Sequence, residues 1–228
     1  MQILKNPFPV TGYYGPEFFC DREAEIKRLN DNIQNGINTT LLSIRRMGKT
    51  GLIYHLLNRL DRERNTYHIY ADIYATQNIT ELTNQLSSAA FKAFPPKKNI
   101  GRQLLELLKS FRPVFSYDTL TGQPEILFDF ASPKQVEQSL SGLFTFLESQ
   151  DVPVIVAIDE FQQISQYPEK NIEAQLRTII QPLKNIRFIF SGSSRHLLNQ
   201  IFSDSKRPFF GSTQVLELKA INSEKYLS

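Results

Sequence analysis

The run VPVIVAIDEF, starting at Val152, constrains the fold more than any other stretch of the chain. From Val154 to Ile158 every residue is apolar, so no solvent-facing side chain alternates with a core-facing one. A strand of that kind must be covered on both faces, which is the situation of an inner strand in a parallel sheet. The segments around it alternate accordingly. NTTLLSI reads as a short buried strand, RRMGKT as a loop and GLIYHLLNRL as a helix. TYHIYADIYA is a second strand, NITELTNQLSSAAFKAF a helix stopped by Pro95 and Pro96, and IRFIFSGSSRHLLNQIF a strand, turn and helix. Upstream, Ile26, Leu29 and Ile33 are spaced as one face of a helix, with Asp21 as the expected N-cap and Gly36 as its terminator. SPKQVEQSLSGLFTFLESQ is helical with Ser132 as cap, and NIEAQLRTIIQPL gives a further helix. Gly101 to Phe111 reads as a short helix, and PVFSYDTLTGQPEILFDF as an inserted pair of strands with a turn around Thr121 to Pro124. The expected class is α/β, a layered sandwich on a mostly parallel sheet with a small inserted hairpin. Any ligand site should lie beyond the carboxyl ends of the strands.

Composition sets the outer limits. A chain of 228 residues with 41% hydrophobic content can bury one substantial core, so a single domain over 1–228 is the simplest organisation. A formal charge of +3 neither requires nor excludes nucleic acid. Cys20 is the only cysteine, which rules out an intrachain disulfide and favours a reducing compartment. No run approaches the roughly 18 apolar residues of a membrane span, and the N-terminus lacks a signal peptide's apolar core. The expectation is a soluble cytoplasmic protein. His55, His68 and His196 lack metal-ligand spacing.

Three strand ends carry groups that could do chemistry. Gly48, Lys49 and Thr50 stand between a strand and a helix, where backbone N–H groups and the helix dipole favour an anion. There Lys49 would neutralise phosphate, Thr50 would offer its hydroxyl to Mg²⁺, and Gly48 would leave the phosphate path clear. Arg45 and Arg46 add charge within the loop, or form a solvated basic turn. Ser43 stands where the full G-x-x-x-x-G-K-T pattern has its first glycine, at a strand end where extended backbone tolerates a Cβ. Asp159 and Glu160 close the apolar strand at the same edge. One carboxylate would join the Mg²⁺ shell, and the other would polarise a water for attack on the γ-phosphate. After IRFIFS, the SGSS turn either presents a hydroxyl to the γ-phosphate or caps the following helix with a serine. Arg207 is either an arginine finger, in cis or across a subunit interface, or a surface residue before proline.

Taken in order, NPFPVTGYYGPEFFCDREAEIKRL, LLSIRRMGKTGLI, VIVAIDEFQQI, IRFIFSGSSRHLL and RPFFGSTQVLELKAI resemble the archaeal-type ATPases of the AAA+/STAND P-loop group. These are relatives of the origin-recognition ATPases, and the S-x-R-R-x-G-K-T form is similar to their bacterial branch. The resemblance spans nearly the whole chain. It implies a five-stranded parallel sheet of the ASCE type with ATP and Mg²⁺ at the strand ends. It also implies that Phe19, Arg22 and Glu23 open the domain, and that the segment from Pro9 and Val10 to Tyr14 lies near the adenine. Arg46, Met47, Gly48, Lys49, Thr50 and Gly51 then form the nucleotide loop, Thr50 and Asp159 hold the metal, Glu160 is the catalytic base, and Ser193 takes the sensor position. The group usually continues into a helical lid and often a winged-helix domain; these are expected to be absent here, since VLELKAI is nearly the end of the chain. The function expected is a Mg²⁺-dependent ATPase acting as a nucleotide-driven switch. Its alternatives are a nucleic-acid-binding module, or a nucleotide-gated scaffold with little turnover that binds a protein partner or a second copy.

Overall fold

The computed structural model describes residues 12–63, 66–94, 107, 113–117 and 124–221. Five strands, β1 (Thr39–Leu42), β2 (Tyr67–Asp72), β5 (Val154–Asp159), β6 (Ile186–Gly192) and β7 (Gln214–Glu217), form one all-parallel sheet in the order β2-β5-β6-β1-β7. The expected inserted pair of strands is present as β3 (Pro113–Tyr117) antiparallel to β4 (Pro124–Phe128); of the turn expected around Thr121 to Pro124, Pro124 opens β4 and the rest lies outside the described residues. The helices are α1 (Glu23–Gln34), α2 (Lys49–Glu63), α3 (Ile79–Ala93), α4 (Pro133–Glu148), α5 (Ile172–Ile180) and α6 (Arg195–Ser203). Of the helix expected over 101–111, Leu107 is helical and the remaining residues lie outside those described.

The unbroken apolar run of β5 is explained by what covers it. Val154, Val156 and Ile158 point into one core, and Ile155 and Ala157 into another on the opposite face. In β6, Ile186, Phe188 and Phe190 join the first core and Ile189 the second. The second core is aliphatic, filled by Leu29 and Ile33 of α1 and by Leu52, Ile53, Leu56 and Leu60 of α2. The first receives α3, α4, α5 and α6, and it is rich in phenylalanine. Phe161 and Phe190 lie 4.5 Å apart by ring centroids, Phe190 and Phe202 5.1 Å, and Phe202 and Phe209 5.5 Å, in tilted arrangements suited to aromatic quadrupoles. The hairpin leans on this layer through Phe128, which is buried and whose N–H donates to Asn84 Oδ1 on α3 at 2.8 Å.

Local chemistry sets the helix ends, with one correction. Ser132 caps α4 with its side chain, as expected, and Gly36 follows α1 with φ 76°; Asn78 caps α3 in the same way as Ser132 caps α4. Asp21 does not cap α1. Asp21 and Arg22 both adopt left-handed backbone (φ 62° and 80°), so the N-cap position falls to Arg22, which makes no side-chain cap bond. That double turn carries the Arg22 guanidinium inward, where it is 4% exposed and donates to the Met47 carbonyl at 3.2 Å and to Glu25 at 2.8 Å.

Parallel register brings the strand ends level. Leu42 pairs with both Gly192 and Glu217, and Asp72 pairs with Asp159. Because β6 lies between β1 and β5, its C-terminal serines sit between the loop after β1 and the acidic pair after β5. Among the described residues, no helix is long and apolar enough to cross a membrane.

Phe209 is 1% exposed and meets the Phe161, Phe190 and Phe202 rings. Phe209→Ala is expected to cost about 3–5 kcal/mol, measured as a lowered urea midpoint at unchanged m-value.

Candidate functional site

The phosphate loop is built as a strand-to-helix turn. Ser43 follows β1 at 1% exposure, outside the left-handed region, and its hydroxyl donates to the Ile44 carbonyl at 2.9 Å. The serine therefore occupies a position that does not need glycine. Gly48 does need it: its φ is 77°, and a Cβ built there would meet nothing within 4 Å. Open space at that point, just before the first N–H groups of α2, is the cradle an anion requires. Arg46 is also left-handed (φ 65°) and exposed. Lys49 opens α2 at 7% exposure and makes no hydrogen bond or ion pair among the described residues. A buried cation at a helix N-terminus is doubly unfavourable unless an anion joins it, so the loop suits a polyphosphate.

Asp159 gathers the other elements. Only 3% exposed, its carboxylate accepts at Oδ2 from Thr50 Oγ1 and Tyr70 Oη, both at 2.9 Å. At Oδ1 it accepts from the Glu160 N–H at 3.0 Å and from Ser191 Oγ at 2.5 Å. These donors come from α2, β2, β6 and the end of β5, and they fill the carboxylate's acceptor positions. Thr50 keeps its oxygen lone pairs while its proton rests on Asp159, so a hard cation would meet the threonine oxygen first. This donor set fits Mg²⁺ in chemistry, with Thr50 offered directly and Asp159 behind it.

Glu160 takes a left-handed conformation (φ 57°) that turns its side chain along the strand ends. Its Oε2 accepts from Ser193 Oγ at 2.7 Å, from the Ser193 N–H at 3.1 Å and from Gln162 Nε2 at 2.5 Å. Of the two readings of the SGSS turn, Ser193 thus faces the acidic pair, while Ser194 holds the N-cap position of α6 without a side-chain bond. Gln162 fits because residue 192 is glycine; a Cβ there would lie 1.8 Å from Gln162 Oε1.

The electrostatics follow from the crowding of carboxylates. Burial, then the charge and hydrogen bond of Asp159, push the Tyr70 hydroxyl far above the ordinary phenol range, so it stays a donor. Burial raises Asp72 as well, reinforced by Asp159 and Glu160 against the lowering effect of the Tyr74 N–H. Tyr54 is raised by burial and then by Asp159 and Asp72.

Among the residues read from the sequence, the fold brings together Met47, Gly48, Lys49, Thr50 and Gly51 in the loop and helix start, and Asp159, Glu160 and Ser193 beside them. Arg207 is instead ion-paired with Glu173 of α5. Pro9 and Val10 lie outside the described residues. Further along that segment, Tyr13 hydrogen-bonds His55 of α2 at 3.1 Å, and Phe19 stacks on the same imidazole at a centroid distance of 4.1 Å. Tyr70, Ser191 and Gln162 were not singled out by sequence reasoning. For Ser191 a signal existed, since it lies two residues before Ser193 and so on the same side of an extended chain.

An all-parallel sheet in this order, with a phosphate loop after β1 and an acidic pair after β5, defines a P-loop ATPase fold. The model of an ATPase domain found predominantly in Archaea matches residues 19–226, and the chain belongs to that family. No match was found among curated proteins. Among solved structures, the chain is similar to the Walker-type ATPase PABY2304 of Pyrococcus abyssi (24% identity, TM-score 0.62, covering 96% of this chain and 59% of that one). It is also similar to Cdc6p of Pyrobaculum aerophilum (14% identity, TM-score 0.56, 95% and 50%). A third is the Aeropyrum pernix ORC1 protein, solved in complex with DNA (16% identity, TM-score 0.57, 91% and 47%). The chain therefore spans 59% of the first protein and about half of the other two.

Gly192→Ala is expected to drive the Gln162 amide off Glu160 and lower the melting temperature. The same substitution made in a Gln162→Ala background should cost less, because the 1.8 Å approach to Gln162 Oε1 is then gone while the 3.0 Å approach to Leu198 Cδ1 remains. Thermal melts of the two single variants and the double variant measure this.

Proposed function

We propose that this chain binds ATP with Mg²⁺ at the 43–50 loop, hydrolyses it, and uses the loss of the γ-phosphate as a conformational signal. The observation that carries the reading is the Thr50 to Asp159 hydrogen bond, which joins the start of the phosphate-loop helix to the end of the acidic strand. Mg²⁺, when bound, would be held by Thr50 with Asp159 behind it and would offset phosphate charge.

The remaining roles belong to the chain's own residues. Lys49 and the N–H groups of Gly48, Lys49, Thr50 and Gly51 hold the β- and γ-phosphates, with Arg46 and Met47 completing the loop. Glu160 orients and polarises the attacking water through Oε1, since Ser193 and Gln162 occupy Oε2. Ser193 is the signalling element. Its hydroxyl has one proton to donate, so a γ-phosphate within reach would draw it from Glu160, and hydrolysis would return it. Arg207 could reach phosphate only by leaving Glu173, so its place in the cycle is that of a finger released from an internal partner.

Nucleotide titrations in Mg²⁺ and in EDTA, paired with turnover assays on ATP and GTP, test the reading. Lys49→Ala should weaken ATP binding at least tenfold, roughly 1.4 kcal/mol. Glu160→Gln should keep binding while lowering turnover by about 10²–10⁴. Undiminished binding in the first variant, or undiminished turnover in the second, would sink the assignment.

A further inference from the structure

Tyr70 lies outside every motif of the sequence, yet its hydroxyl is one of two donors on Asp159 Oδ2. Its position follows from the sheet. In parallel register Tyr70 pairs with Ala157, the smallest side chain of β5, which leaves a phenol room to reach two residues further along the same face, to Asp159. The ring then meets Tyr54 of α2 at a centroid distance of 4.6 Å. Tyr54 stands four residues after Thr50, one helical turn along the same face. One pair of α2 side chains, Thr50 and Tyr54, therefore faces one pair from the sheet, Asp159 and Tyr70.

We infer that Tyr70 is a positioning residue for the metal: its phenol fixes the Asp159 carboxylate in the orientation from which Thr50 is presented to Mg²⁺, and its ring ties that orientation to α2. The inference rests on the Mg²⁺-dependent reading above, and it assigns the metal site a determinant on β2. Without the phenol, Oδ2 keeps Thr50 as its one donor, while Oδ1 stays held by Ser191 and the Glu160 N–H. Thr50 could then follow the carboxylate through a wider arc. Partners of this kind, one step removed from the ion, typically change metal affinity by about 10–100-fold when lost.

Tyr70→Phe removes the hydroxyl and keeps the ring against Tyr54. ATP affinity is measured for the parent and the variant in Mg²⁺ and in EDTA, and Mn²⁺ is titrated into each ATP complex by electron paramagnetic resonance. The expected result is an approximately tenfold weaker Mn²⁺ affinity and a matching loss of ATP affinity in Mg²⁺, with ATP affinity in EDTA unchanged. Equal losses in Mg²⁺ and EDTA would make Tyr70 a packing residue and overturn the inference, as would no loss in either. Contact itself is read without nucleotide, from melting temperatures of Tyr70→Phe, Asp159→Asn and the double variant. Shifts smaller than additive are expected, and additive shifts overturn the inference alone. A parent chain that binds no ATP in either buffer overturns the ATPase reading, and the metal role of Tyr70 with it.

Discussion

A carboxylate with almost no access to water is the point on which this molecule turns. Asp159 would be costly to bury alone, and the fold offsets that cost with donors from the phosphate-loop helix, from β2, from β6 and from its own strand end. Each donor restricts its own element. Thr50 sets the approach of α2, Tyr70 the neighbouring strand, and Ser191 the strand between loop and acid. The requirement that a buried charge be satisfied thus doubles as the requirement that the elements of the site meet. Glu160, next in the chain, is freer, since its left-handed backbone turns it out of the carboxylate's enclosure.

The two cores flanking the sheet divide the labour. Aliphatic side chains fill the face that α2 covers, and at its end Thr50 reaches Asp159. On the other face interlocking phenylalanines fill the layer, and Phe161 carries the chain from the site into it. Gly192 belongs to this arrangement. Its missing side chain is the space that Gln162 uses to reach Glu160.

What the sequence made legible follows from the range of each interaction. The all-apolar β5 run, the alternation of strands and helices, and the Ser132 cap are local, so composition and spacing reveal them. The phosphate loop and acidic pair are legible for the same reason: each is a short motif at a strand end. Asp21 resembles a cap by residue type alone, but a capping side chain works only beside extended backbone, and here both Asp21 and Arg22 are left-handed. Tyr70, Ser191 and Gln162 were hidden because their roles depend on strand order and register. A tyrosine in a strand says nothing until its neighbour is known to be Ala157 and the next acceptor Asp159.

The spread of the Asp159 contacts along the chain has a consequence for biogenesis. Its side-chain partners lie 109 and 89 residues before it and 32 residues after it. Parallel strands with such separations pair late, because long loops must close before any contact rewards them. The loop around Gly48 leaves the ribosome before β5, so the Thr50 hydroxyl stays without its acceptor until β5 arrives, and Asp159 stays incompletely enclosed until β6 does. Nucleotide recognition is therefore a property that the nascent chain acquires late, and a partner that senses bound nucleotide would also be sensing whether the sheet is finished.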